Sequence, residues 1–403
     1  MKLSEKIGDS PLIRTFLLII LEPSFKASMV IFNKLWGVDN NSVVFSSFGG
    51  RSYSDNPRAI SEKLHEKDPS VKIFWLFQNI EEKRAIVPSY VSLVKKGTLK
   101  SLKIQATAKF WVDNFKKPPY FYKNSNQIYI QTWHGDRGFK KVLFDNEHYK
   151  FKLNLLETEN LDLAITGSKF GENQFRSAML YNGEILKEGC PRNDILLANN
   201  DKEIEKIKKS LNIDLQTKIL LFAPTFRIAA ELENRPQEVF DLDITALLKI
   251  LTAKTDSNWT AFIRGHYFVK SLEGIEIDNK KIFDGNAFED MKELLLISDF
   301  LITDYSSCAG DFALLNRPII LYQPDKKEYI KNDRSLYFNI EDSPFMVATN
   351  QQDLVSKIEK LDFAEAEDNC KNILKFYGTY ETGNASERVA NFIVKKAKAM
   401  KLN

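Results

Sequence analysis

Strand-length apolar runs alternate with helical stretches along this chain, and after about residue 200 the alternation begins again. The first series of runs covers residues 42–48, 71–77, 91–94, 110–113, 127–133 and 161–166. A Lys/Glu-rich helix over 201–211 separates it from a second series at 218–223, 259–264, 281–283, 300–303 and 318–322. Short buried strands separated by helices form βαβ units, and βαβ units assemble into parallel sheets. The chain is therefore expected to be an α/β protein with two Rossmann-type parallel-sheet domains in tandem, at 41–197 and 198–403. Its 403 residues also exceed what one ordinary core holds. A helix from about Pro57 to His65 follows the first strand, with proline in its first turn, where no backbone N–H is needed.

Ahead of the first strand, residues 11–36 are apolar but interrupted by Arg14, Glu22, Pro23, Lys26 and Lys34. No uninterrupted run approaches the ~20 residues of a spanning helix. The run at 16–21 is short and no small-residue cleavage site follows it, which argues against a signal peptide. Residues 1–40 are expected to form an amphipathic helical segment. Its apolar side chains either dip into a lipid boundary, with Lys and Arg toward the headgroups, or pack on the body of the protein.

Composition excludes several function classes. Hydrophobic residues make up 43% of the chain, with 29 Phe, which is incompatible with disorder. A net charge of +3 is far from that of a dedicated nucleic-acid binder. The three cysteines, Cys190, Cys308 and Cys370, form no CxxC pair, and His65, His134, His148 and His266 are scattered. Neither a disulfide framework nor a metal site is indicated, and a reducing cytoplasm fits best. Asp241-Leu242-Asp243 matches a metal-binding DxD, but within a charged helical region the match is read as accidental.

In doubly wound sheets, ligands sit beyond the carboxyl ends of the strands, and the unusual polar clusters fall there. Thr132-Trp133-His134-Gly135 follows a strand, where an imidazole can face a cleft as a base, or simply be hydrogen-bonded in the structure. Ala223-Pro224-Thr225-Phe226-Arg227 ends the strand that opens the second domain, and Arg227 and Thr225 suit phosphate oxygens, with a simple turn and a surface charge as the more frequent alternative. Arg264-Gly265-His266 repeats the pattern of a strand running into charge, glycine and histidine. Thr303-Asp304-Tyr305-Ser306-Ser307 ends another strand. Two hydroxyls and free N–H groups there favour an anion, and ordinary serine capping is the plainer alternative. The stretch 115–123, with Arg137, Lys140 and Lys141, is expected to put positive charge around His134.

Taken in order, Trp133-His134-Gly135, Gly189-Cys190-Pro191-Arg192-Asn193-Asp194, Ala223-Pro224-Thr225-Phe226-Arg227, Arg264-Gly265-His266 and Thr303-Asp304-Tyr305-Ser306-Ser307 resemble the CDP-glycerol glycerophosphotransferase family of teichoic acid and capsule synthesis. Ser46-Ser47-Phe48-Gly49-Gly50 and Ser54-Asp55-Asn56-Pro57-Arg58 extend the resemblance, which covers about 43–358. It implies a GT-B-like fold that needs neither metal nor cofactor. A polyol phosphate, glycerol or ribitol, would pass from a CDP-alcohol to a hydroxyl of an anionic polyol-phosphate or lipid-linked glycan acceptor, with release of CMP. The implied location is the cytoplasmic face of the membrane, with no nucleic-acid partner. The resemblance casts His134 as general base and makes His266 the second catalytic histidine. It places His266, Arg227, Ser306 and Ser307 on the diphosphate, and Arg192, Thr225, Arg264, Thr303 and Asp304 among the substrate-binding residues. Where the family commonly continues Thr-Pro-Leu-Lys after His-Gly, this chain has Asp136-Arg137-Gly138-Phe139-Lys140, so acceptor identity does not carry over. Arg264-Gly265-His266 also lacks the proline often found near that histidine. A nucleotide-sugar glycosyltransferase or a catalytically silent polymer-binding protein on the same fold are the alternatives.

Overall fold

The computed structural model describes residues 11–118, 121–146, 153–225, 242–265, 277–332 and 335–399. The apolar runs form two all-parallel sheets. The first contains β1 (Asp39–Ser46), β2 (Lys72–Phe77), β3 (Val91–Lys95), β4 (Ala108–Asp113), β5 (Ile128–Gln131), β6 (Leu163–Ile165) and β7 (Glu184–Leu186). Their spatial order is β3-β2-β1-β4-β5-β6-β7. The second contains β8 (Lys218–Ala223), β9 (Trp259–Ile263), β10 (Ile282–Asp284), β11 (Phe300–Thr303), β12 (Ile319–Tyr322) and β13 (Met346–Ala348), in the order β10-β9-β8-β11-β12-β13. Strand order reverses between β1 and β4 in one sheet and between β8 and β11 in the other. These are the switch points where such sheets open a crevice.

Both faces of each sheet are covered, which is why the strands read as continuous apolar runs rather than alternating ones. Val43, Phe45 and Trp75 face one core of the first sheet, while Val44, Trp111 and Tyr129 face the other. In the second sheet, Leu221 and Leu301 face one core, and Phe222 and Ile302 the other. The edge strands β7 and β13, three residues each and only partly buried, are missing from the series expected from the sequence. Strands this short and half-exposed carry little apolar signal.

The chain crosses between domains twice. The turn Pro191–Asn193 carries it forward, and the final helix Ala385–Ala399 carries it back. Val389, Ala390, Ile393 and Ala397 of that helix are buried in one core with Val43, Ile60 and Ile73. The second domain was expected to run to residue 403, but its last helix belongs structurally to the first.

The N-terminal segment forms one helix, Pro11–Trp36, which continues through Pro23. Met29 is buried among Leu102 and Ala106, and Asn33 Nδ2 donates to the Ala106 carbonyl at 2.8 Å. Ile31, Leu35 and Trp36 are 53%, 67% and 54% exposed. The helix thus packs by one face and leaves a second apolar face outward. Among the described residues, no helix is long and apolar enough to cross a membrane.

Candidate active site

The loop beyond β5 lies beside the turn beyond β11, and the segment that follows β1 bonds to Glu289 and Asp290 of the second domain. β4 ends at Asp113, whose carbonyl accepts from the N–H of Thr132 at 2.9 Å and from its hydroxyl at 3.2 Å. The chain leaving β5 is thereby clamped until Trp133, which turns it with φ +50°, a left-handed conformation that costs an aromatic residue energy. Gln131 Oε1 accepts from the Trp133 N–H at 3.0 Å, and Asn56 Nδ2 donates to the Trp133 carbonyl at 3.0 Å.

This turn presents His134 among the rings of Trp133, Phe48 and Phe115, with centroids 4.4, 5.4 and 6.0 Å away. His134 Nδ1 lies 2.6 Å from the Asn114 carbonyl oxygen. A carbonyl can only accept, so in the neutral ring Nδ1 carries the proton and the basic lone pair is on Nε2. Asn114 is itself fixed: its Oδ1 accepts from the Phe48 N–H at 2.7 Å and its Nδ2 donates to Ser47 Oγ at 3.1 Å. The loop after β1 bends through Gly49 and Gly50 at φ +69° and +90°. A Cβ on Gly50 would stand 3.0 Å from the Leu76 carbonyl. Sequence reasoning missed Asn114. Its signal is a polar residue at the very end of a buried strand next to the switch point.

Across the crevice, Asp304 ties the second sheet's switch point together. Its buried carboxylate accepts from the Thr225 N–H at 2.9 and 3.0 Å, from the Thr225 hydroxyl, and from the Tyr305 N–H at 2.5 Å. Thr303 Oγ1 donates to the Ala223 carbonyl at 2.6 Å, and Arg264 Nη1 donates to the Gly285 and Phe288 carbonyls at 2.8 and 2.7 Å. Thr225, Thr303, Asp304 and Arg264 therefore frame the crevice through bonds to the protein itself. Ser306 and Ser307 are partly exposed. Ser307 makes no side-chain capping bond to the five-residue helix Cys308–Phe312, whereas Ser306 Oγ accepts from the Cys308 N–H at 3.4 Å, so the capping role falls to Ser306 and not to Ser307. Its hydroxyl stands 4.0 Å from where a Cβ would sit on Gly135. The loop that carries His134 and the serine corner of the second sheet thus adjoin. Arg227, His266 and Asp241 lie outside the described residues.

Of the residues that depart from the family pattern, Asp136, Arg137 and Phe139 are buried. Arg137 is fully buried and does not add charge around His134. Its Nη1 donates to Asp311 Oδ1 at 2.7 Å, and its Nη2 donates to Glu381 Oε1 and to the Gly167 carbonyl. Asp136 Oδ1 accepts from the Gly167 N–H at 3.0 Å and from the Thr166 hydroxyl. Arg192 Nε and Nη2 donate to Asp311 Oδ2 at 3.1 and 2.9 Å, and Asn193 Nδ2 donates to Asp311 Oδ1 and Glu381 Oε1 at 2.9 and 2.8 Å. Burial works to raise the Asp311 carboxyl, but Arg192 and Arg137 outweigh it and hold it below the usual carboxylate range. Burial raises the Glu381 carboxyl against the pull of Arg137. The adjoining Phe139 inserts into the second domain's core beside Phe345 and Phe338, at 5.1 and 5.7 Å. Of the lysines expected near His134, Lys117 pairs with Asp113 and Lys123 with Asp162. Among the described residues, no cluster of His, Cys, Asp or Glu is arranged to hold a metal ion.

The family model for CDP-Glycerol:Poly(glycerophosphate) glycerophosphotransferase matches residues 27–395. A teichoic acid poly(glycerol phosphate) polymerase of Staphylococcus epidermidis is 32% identical over 377 residues, covering 90% of this chain and 51% of that one. A teichoic acid glycerol-phosphate transferase of Staphylococcus aureus is 31% identical over 396 residues, covering 93% and 98%. The chain thus spans about half the length of the first and nearly all of the second. The solved structure of the wall teichoic acid polymerase TagF superimposes with a TM-score of 0.82 at 27% identity, covering 99% of this chain and 100% of that one. A further TagF structure was soaked with CDPG. The two parallel-sheet domains form the GT-B-like fold of that neighbour.

Proposed function

Because the chain belongs to the CDP-glycerol:poly(glycerophosphate) glycerophosphotransferase family, we propose that it transfers a polyol phosphate from a CDP-alcohol to a hydroxyl of a teichoic-acid-type acceptor. The observation that carries this reading is the cleft itself. An imidazole oriented through its Nδ1 by the Asn114 carbonyl at 2.6 Å is carried by the loop that adjoins the serine corner, where an ideal Cβ on Gly135 would stand 4.0 Å from Ser307 Oγ. The acceptor hydroxyl attacks the phosphorus that bears the alcohol. Its proton passes to His134 Nε2, the new phosphate ester bond forms, and the phosphoanhydride bond breaks so that CMP leaves with the bridging oxygen. Ser306 and Ser307, together with Arg227 and His266, donate to the diphosphate and stabilise the charge that develops on it. Asp304, Thr225, Thr303, Arg264 and Arg192 shape and hold the walls. The enzyme acts at the cytoplasmic face of the membrane, with Ile31, Leu35 and Trp36 of the N-terminal helix in the lipid boundary beside Lys34.

Purified protein given CDP-glycerol or CDP-ribitol, with an oligomeric or lipid-linked acceptor, is expected to release CMP. Absence of release with every pairing sinks the proposal. His134→Ala is expected to lower turnover by roughly 10²–10⁴-fold, the usual contribution of a positioned base, while calorimetric donor affinity persists. Equal loss of donor binding would remove His134 from the role of base.

A further inference from the structure

Four segments that define the cleft and the domain junction meet at one buried point. Arg137 comes from the loop that carries His134, and Asp311 from the turn that carries Ser307. Arg192 and Asn193 lie on the forward crossing, and Glu381 precedes the helix that returns. Arg137 bonds to both acids, while Arg192 and Asn193 bond to Asp311. The contact is also close-packed: a Cβ on Gly310 would stand 2.5 Å from Arg137 Cβ. The lever arms are short. Two residues separate Arg137 from His134 and three separate Asp311 from Ser307, so movement at this junction passes directly to the spacing of the two loops.

We propose that Arg137 is a positioning residue: by binding Asp311 and Glu381 together, it fixes the mutual placement of the two domains and so the separation of His134 from Ser306 and Ser307. A planar guanidinium can hold two carboxylates and a carbonyl at once, whereas an ammonium on a flexible stem holds its partners less rigidly. The consequence for turnover rests on the proposed transferase activity, but the consequence for domain placement does not.

The test therefore reads the two separately. Glu66 and Ala253 are exposed on opposite domains, and Cys190, Cys308 and Cys370 are buried, so Glu66→Cys and Ala253→Cys accept spin labels selectively. The full-length wild-type protein is expected to give one narrow label–label distance. Arg137→Gln is expected to broaden or shift it and to lower kcat roughly 100-fold, the cost of about 1 Å of misplacement, with donor KM within about threefold. Arg137→Lys keeps the charge and is expected to fall between the two; it decides the matter if Arg137→Gln does not fold. A distribution as narrow as the wild type's in the folded variant, or a broadened one with turnover unchanged, overturns the proposal. A wild type without turnover counts against the transferase reading alone, because the distance measurement needs no substrate.

Discussion

Asp304→Asn keeps the shape of the side chain that joins β8 to β11 and removes its charge. The carboxylate accepts from the Thr225 N–H, the Thr225 hydroxyl and the Tyr305 N–H. A hydrogen bond to a charged acceptor contributes roughly 1.5–3 kcal/mol against about 1 for a neutral one, so neutralising three of them loses roughly 1.5–6 kcal/mol. Whichever way the asparagine amide is turned, its NH₂ faces the Thr225 N–H, which can only donate. Burying an amide costs less than burying a carboxylate, which offsets part of the loss and leaves a net destabilisation of ~2–3 kcal/mol. Hydrogen exchange of peptides covering β8 and β11 reads this locally. Protection there is expected to fall roughly 30–150-fold, while β1 and β4 keep theirs. Affinity for the CDP-alcohol is expected to fall with it, because Ser306 and Ser307 follow directly from Asp304. Exchange within threefold of wild type, with donor affinity unchanged, would refute the view that this carboxylate holds the second wall.

Three further outcomes are expected. Gly310→Ala forces a methyl group against the aliphatic stem of Arg137 and is expected to cost ~1–3 kcal/mol in urea unfolding. Phe139→Ala empties a buried site between Phe338 and Phe345 and is expected to cost ~3–5 kcal/mol by the same measurement. The hydrogen bond from Lys187, with further help from Tyr380 and Lys169, brings Glu172 down to about 2. Because its folded value lies below the unfolded one, its contribution is fully present above about pH 4.3 and is lost as pH falls toward 2. Urea titrations of wild type and Glu172→Gln are therefore expected to differ at neutral pH and to converge near pH 2.

The two sheets were legible because nearly every strand is buried on both faces and reads as an apolar run. The strand-end motifs were legible because glycine, histidine, serine and threonine are unusual directly after such runs. The partners of those motifs were not. Arg137 reads locally as a basic residue beside a histidine, yet its acids lie 174 and 244 residues further along the chain. Asp311 sits one turn past Ser307 and could have been noticed as an acid within a buried helix, but nothing local says that two arginines need it. The return of the final helix to the first domain was equally hidden, because an amphipathic helix does not announce which sheet it covers. Asn114 shows in the sequence only as a polar residue at the end of a buried strand, and the backbone carbonyl through which it meets His134 leaves no mark of its own.

The most direct measurement is the mass of a defined oligomeric acceptor after incubation with CDP-glycerol, or with CDP-ribitol, and either wild-type protein or His134→Ala. Wild type is expected to add whole polyol phosphate units, one CMP released for each, and His134→Ala to add them roughly 10²–10⁴-fold more slowly while still binding donor. An acceptor of unchanged mass with both donors, or one lengthened equally by His134→Ala, would contradict it.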